Sequence, residues 1–422
     1  MSTGETRKAR TLFLCGVLHA FTHIYQVALL PLYLPIQRDF NLVSVGQATL
    51  LMTVMMVAYF VPSYGMGILA DRISRKKLLT AGLIINGAGF VGLSFAPSYP
   101  AALACIMVSG IGGSCFHPAA TAMITRLYPI NTGRALGLLG MGASVGFFVS
   151  PIYAGWRAET AGWRAPVLEL GLLGLVAAGL FAWLADEEPA VPEPSDPRPT
   201  HSGLFPTTTL WAFFFATAAL FSLRDFAGSS MGSLGSLFMQ KAHGFSLRET
   251  GAALSAIFLA GVISNPLFGH LSDRGRIRWT AAVLLMSVLI VAVFPRVAPE
   301  WLLPTFALYG FFFMASYPMI EAALMQSVPD AVRGRVFGLF ITVGGLLGNL
   351  SHWIVGNWVK GLGNEALDPT AYRPLYLFLS FLLLASLLGL PCLHAIRKQE
   401  HLDLRLEPEP GSAPSIAGPR FK

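Results

Sequence analysis

Charge is what this sequence has least of. Only 12% of its 422 residues are Asp, Glu, Lys or Arg, while 54% are hydrophobic. Soluble domains carry roughly 25% charged residues, so this chain lacks the charge to coat a water-facing surface. Residues 11–37, 40–70 and 78–125 hold no charged side chain at all. About 20 apolar residues cross a bilayer as a helix, which makes the chain a polytopic membrane protein. Cysteine is also scarce. Cys15, Cys105, Cys115 and Cys392 each sit in an apolar segment, without metal-ligand spacing, and read as packing thiols rather than a disulfide framework. No Walker phosphate-binding loop is present, so nothing points to ATP-driven work. The nine histidines are scattered and form no clustered histidine boxes, which argues against a membrane metalloenzyme. No small-residue cleavage site follows the first apolar run, so that run reads as a span rather than a removed leader.

What is there is a succession of apolar segments. Twelve spans are predicted, near 11–36, 45–66, 78–97, 101–125, 135–155, 164–185, 209–240, 250–270, 279–295, 301–328, 336–358 and 374–396. Between the third and fourth, only "PSYP" (97–100) breaks the run, as a tight turn would. Lys and Arg orient the spans. With the N-terminus inside, most of the 29 basic residues fall on one side: Arg7, Lys8 and Arg10, then Arg72 to Lys77, Arg126 and Arg134, Arg274 to Arg278, Arg333 and Arg335, and the C-terminal tail. Both termini are therefore expected in the cytoplasm, at a bacterial inner membrane. The net charge of +7 becomes a topology signal, and nucleic acid is not an expected partner.

The expected organisation is all-α: an N-terminal six-helix bundle (1–185), a proline-rich acidic linker (186–208), a C-terminal six-helix bundle (209–398) and a polar, disordered tail (399–422). The two bundles echo each other. "GILADRISR" (67–75) recurs as "GHLSDRGRI" (269–277), and "GRALG" (133–137) as "GRVFG" (334–338). Gly110, Pro118 and Pro129 match Gly310, Pro318 and Pro329. Three landmarks in order at nearly one offset mark a duplicated unit with a pseudo-two-fold axis along the membrane normal, a transporter architecture.

On these residues the chain resembles the major facilitator superfamily over essentially its whole length. "GILADRISRKK" is similar to that family's loop between the second and third helices, with Ser74 where a glycine is usual. The resemblance implies alternating access around a central site. It also implies a cytoplasmic charge lock, built here from Gly67, Asp71, Arg72, Arg75 and Arg134 and, in the second half, Asp273, Arg274 and Arg335. Two marks of many proton antiporters are missing. Met107 stands where an Arg would precede Gly110, and 137–151 has no adjacent Gly-Pro pair, although Gly137, Gly142 and Gly146 still allow close helix approach. "FHPAA" (116–120) resembles the fourth helix of the fosmidomycin-resistance type of efflux transporter, which would imply export of a small anionic compound.

Ionisable residues inside a membrane default to functional candidates. His19 and His23 share one face of the first helix, about 12 and 18 Å along it. His117 lies in the fourth helix, with Tyr317 as its repeat partner, and Asp225 occupies the repeat position of His23. Arg224 is an anion-binding candidate and Asp225 its partner or a proton carrier, although neighbours on a helix point about 100° apart. Glu321, Asn349 and His352 complete the expected substrate and proton pathway. Glu169 is expected to be wetted or paired with Arg164, and Trp156, Trp163 and Trp301 to anchor span ends. The reading is a monomeric secondary transporter of a small anionic or amphipathic solute, proton-coupled, with efflux favoured. The alternatives are uptake of an organic acid and, less favoured, divalent metal transport through His19, His23, His117 and Asp225. No cofactor and no metal site are expected, and the partners are solute, protons and lipid.

Overall fold

The computed structural model describes residues 3–130, 132–187, 205, 207–272, 274–328 and 333–396. Twelve of its helices are long and apolar enough to cross a membrane: α1 (Gly4–Asp39), α2 (Val45–Arg72), α3 (Arg75–Phe95), α4 (Tyr99–Leu127), α5 (Arg134–Ala161), α6 (Arg164–Leu184), α7 (Thr208–Ala242), α8 (Leu247–Ser272), α9 (Arg276–Arg296), α10 (Pro299–Met325), α11 (Arg335–Gly361) and α12 (Pro369–Ile396). No strand occurs among the described residues. The turn expected at "PSYP" is real, with α3 ending at Phe95 and α4 starting at Tyr99. The linker (186–208) and tail (399–422) lie outside the described residues, apart from 186, 187, 205, 207 and 208. At the start of the linker, Asp186 pairs with Arg10 at 3.1 Å and Glu187 accepts a bond from Ser74.

The duplication reads directly in the packing. In the first half α1 packs on α5 and α6, α2 on α4, and α3 on α4 and α6. In the second half α7 packs on α11 and α12, α8 on α10, and α9 on α10 and α12. The halves meet through α2 with α11 and α5 with α8, so this pattern too repeats with a shift of six helices.

Lipid tails are as apolar as leucine, so packing between spans rests on close approach and polar contacts. The α1–α5 pair shows this. Gly142 leaves no room for a side chain against the Gly16 carbonyl, nor Gly146 against that of Ala20. One turn further on, Ser150 donates to the Ile24 carbonyl at 2.7 Å. Two helices break where proline removes a backbone donor. In α1 a short 3-10 turn spans Leu30–Leu32 around Pro31. In α4 the helix stops at Ser114 and restarts at Phe116, two residues before Pro118.

The halves touch at the end remote from the termini. There Gly155 abuts the Leu247 carbonyl, Gly251 that of Pro151, and Gly356 the Thr49 side chain. Ile152 N–H donates to Ser255 at 3.0 Å, and Thr53 donates to the Asn349 carbonyl at 3.0 Å. At the end that carries the termini, Gly65, Gly137, Gly140, Gly269 and Gly338 face open space. The molecule is closed at one end and open at the other.

Two sequence expectations are corrected. Glu169 pairs with Arg157 of α5 at 2.8 Å, not with Arg164. Residues five apart on a helix point about 140° from each other, so Arg164 turns instead to Asp39 at 2.8 Å and to the Ser94 and Ala96 carbonyls. Trp156 and Trp301 are exposed at span ends as expected, but Trp163 is buried and donates its indole N–H to Asp39.

Candidate substrate cavity

A cavity of about 520 Å³ lies between the halves. The first half contributes His23, Gln26, His117 and Phe147 to its wall, and the second contributes Arg224, Asp225, Tyr317, Glu321, Asn349 and His352. Eight of the nine residues expected on the pathway therefore line one space. The ninth, His19, lies behind the wall.

On the second-half wall Arg224 folds back on its neighbour. Its Nη2 and Nε approach Asp225 Oδ1 at 2.6 and 3.0 Å. The 100° between adjacent helical positions is spanned by the length of the arginine side chain, so the two charges meet after all. The guanidinium also lies over the Tyr317 ring, 4.0 Å from its centroid, a cation–π contact. Arg224 is only 2% exposed, and its Nη1 has no hydrogen-bond partner among the described residues. Glu321 sits one turn beyond Tyr317 on the same face of α10. Room for Asp225 comes from α11, where a side chain at Gly344 or Gly348 would come within 2.7 or 2.8 Å of it.

The first-half wall is built from histidine. α5 approaches α1 so closely that the Leu139 carbonyl reaches His19 Nδ1 at 2.8 Å. A carbonyl can only accept, so His19 carries its proton on Nδ1 and presents a lone pair at Nε2. His23 Nδ1 lies 2.8 Å from Gln26 Oε1, another acceptor. The two Nε2 atoms then face each other at 3.1 Å. The break at Pro118 swings His117 of α4 into the same place, its ring centroid 5.1 Å from that of His19 and 5.5 Å from that of His23. His19 and His23 are buried, while His117 is exposed to the cavity.

Towards the closed end a polar chain crosses the cavity roof. Tyr33 meets Ser233 at 2.9 Å, Ser233 meets His352 Nδ1 at 2.6 Å, and His352 Nε2 meets Asn349 at 3.1 Å. Elsewhere on the wall, beside His23, Phe147 of α5 stacks on Phe258 of α8, centroids 4.8 Å apart. Gln26, Ser233, Phe147 and Phe258 escape the sequence reading. Ser229, Ser233 and Ser236, at helical spacing along α7, were the available signal for the roof.

The expected charge-lock residues lie at the open end. Arg75 is buried and reaches Asp71 at 3.3 Å, while Gly67 faces Pro118. Arg72, Arg134, Arg274 and Arg335 are exposed. Asp273 lies outside the described residues.

The described lining holds one cation, two carboxylates and three imidazoles, groups that can bind and release a solute. Comparison with known proteins points to transport. The chain is 23% identical over 384 residues to an uncharacterised transporter, YfnC of Bacillus subtilis, spanning 88% of this chain and 92% of that one. It is 26% identical to the multidrug efflux pump PmrA of Streptococcus pneumoniae (70% of this chain, 75% of that one). It is also 26% identical to the enterobactin exporter EntS of Shigella boydii (79% and 82%). Among solved structures, a bacterial homologue of the human lysosomal transporter Spinster, inward-facing and unoccupied, shares the fold. Its TM-score is 0.71 at 16% identity, covering 94% of this chain and 97% of that one. The sequence profile of the Major Facilitator Superfamily matches residues 12–351, and the chain belongs to that superfamily of membrane transporters.

Proposed function

We propose that this secondary transporter moves a small anionic or amphipathic organic solute, coupled to protons, by rocking of residues 1–185 against residues 209–398. The observation that carries the reading is Arg224, a buried cation on the cavity wall with one guanidinium nitrogen unpartnered among the described residues. That nitrogen is itself buried, so an anion entering from the open end gains a charge-assisted hydrogen bond there, about 1.5–3 kcal/mol, once the wall shifts to uncover it. Asp225 and Glu321 face the same cation, and one positive charge cannot neutralise two carboxylates in a desolvated wall. One of them holds the coupling proton. Efflux is supported by the exporters PmrA and EntS among the relatives. With the termini in the cytoplasm, the open end faces inward, ready to load an exported solute.

The charge count favours a second direction as well. An anion that takes Arg224 from Asp225 leaves a carboxylate that only a proton can neutralise. Anion and proton then load together, which under an inward proton gradient is uptake.

The test starts from organic anions found by thermal shift on purified protein at two pH values. In Arg224→Ala a hit should bind about 10- to 100-fold more weakly, the loss of one charged hydrogen bond. Full binding and flux in that variant would sink the anion reading. Imposing a pH gradient of either sign on proteoliposomes separates export from uptake.

A further inference from the structure

The three histidines ask for more than a place in a wall. His19 and His23 each spend a ring N–H on an acceptor, Leu139 O and Gln26 Oε1. Each then aims an Nε2 lone pair at the other across 3.1 Å. Two lone pairs at that distance repel unless something electron-poor lies between them. His117 brings a third ring, and one nitrogen from each of the three lies within 4.8 Å of the others. With Zn–N distances of about 2.0–2.1 Å in a tetrahedral shell, ligand nitrogens stand about 3.3 Å apart. The His19–His23 pair already has nearly that spacing, and a rotamer shift of His117, which is free on its cavity side, would bring in the third.

We propose that His19, His23 and His117 form a binding site for a late first-row divalent metal ion, with an open coordination position facing the cavity. Imidazole nitrogen suits such ions. Metal-bound histidines characteristically donate their second N–H to a carbonyl or similar acceptor, which fixes tautomer and ring orientation. The Leu139 carbonyl and Gln26 already do this here. Three neutral ligands leave the ion's charge uncompensated in a desolvated wall. An anionic donor at the fourth position would balance it, as in open three-histidine zinc sites. His117 is the ligand exposed to the cavity, so that position opens where solute enters. This deepens the anionic-solute reading: the solute class becomes anions able to coordinate a metal. Sequence spacing alone does not assemble the site, because α1 supplies only two ligands and the third comes from about 94 residues away in α4, so the sequence offers this set only as a less favoured alternative.

Cobalt is the probe, since it enters such sites and its visible absorption reports their geometry. Tag-free, chelator-treated full-length protein in detergent is titrated with Co²⁺. The expected result is one ion per chain with a tetrahedral spectrum, displaced by Zn²⁺. In His117→Gln and in Gln26→Leu, affinity should fall at least about 10-fold. Azide, an anionic probe, should shift the cobalt bands in the wild type. No saturable cobalt signal in the wild type, or one undiminished in His117→Gln, overturns the site and leaves a shared proton to bridge His19 and His23. A spectrum that azide does not move overturns the open position. None of these readouts involves Arg224 or flux, so failure here is distinguishable from failure of the anion-transport reading.

Discussion

At the scale of residues, small differences in local space decide what each side chain can do. Gly348 and Gly338 lie on the same helix with opposite surroundings. Replacing a mid-helix glycine with alanine gains about 0.5–1 kcal/mol in backbone entropy. At Gly348 the new carbon would stand 2.8 Å from Asp225 Cβ and 3.1 Å from its backbone carbon. Backbone cannot swing aside, and overpacking of this kind costs about 1–3 kcal/mol, so the clash wins. Gly348→Ala should melt below the wild type and disturb the Arg224–Asp225 pair. Gly338→Ala meets nothing within 4 Å and should melt slightly above it. A Gly348→Ala protein more stable than wild type in a detergent melting experiment would refute the crowding argument. Asp225 itself should behave as a coupling group. Asp225→Asn should abolish pH-gradient-driven flux in proteoliposomes while solute exchange continues, and undiminished gradient-driven flux would remove Asp225 from that role.

At the scale of elements, the break in α1 shows how a disrupted helix becomes a joint. In a regular helix the Pro31 carbonyl would accept from residue 35, but residue 35 is also proline and has no N–H. The orphaned Pro31 carbonyl takes Gln240 at 3.1 Å instead, and Ser236 donates to Leu30 O at 2.6 Å. Both donors come from α7, so two prolines in one half create a latch to the other at the closed end. Gln240→Leu leaves that carbonyl without its partner, a loss of about 1–3 kcal/mol from the latch. With the native cysteines replaced, a cysteine at the cavity position Ser229 should then be labelled faster by an impermeant reagent applied from the closed side. An unchanged labelling rate would mean that the latch does not hold this end shut. The span count, the repeat and the turn at "PSYP" were legible in the sequence because each is written in local hydropathy or in a repeated string. The pairing of Glu169 with Arg157 and the burial of Trp163 were not, and the set His19, His23 and His117 was legible only as a less favoured alternative. Each depends on which faces of distant helices meet, and the helix breaks that set those faces change direction without changing hydropathy.

At the scale of the whole molecule, one symmetry relation turns a single conformation into a statement about two. The contacts α2–α11 and α5–α8 map onto each other under the six-helix shift, and their outer portions are packed while their inner portions stand apart. If the halves rock, the glycines now facing open space must become the contact when the closed end opens. Gly155 and Gly137 lie on α5 at opposite ends, five turns apart at 3.6 residues per turn. Gly155→Leu drives a side chain into the Leu247 carbonyl, so the closed end cannot stay shut. Spin-label distances across that end should lengthen and broaden, and flux should fall. Gly137→Leu is accommodated in the present conformation, where nothing lies within 4 Å. Its distances and solute binding should match the wild type, but turnover should stop because the other end cannot close. Transport at the wild-type rate in Gly137→Leu would show that the open-end glycines never meet a partner, and a rigid-body rocking cycle would have to be abandoned.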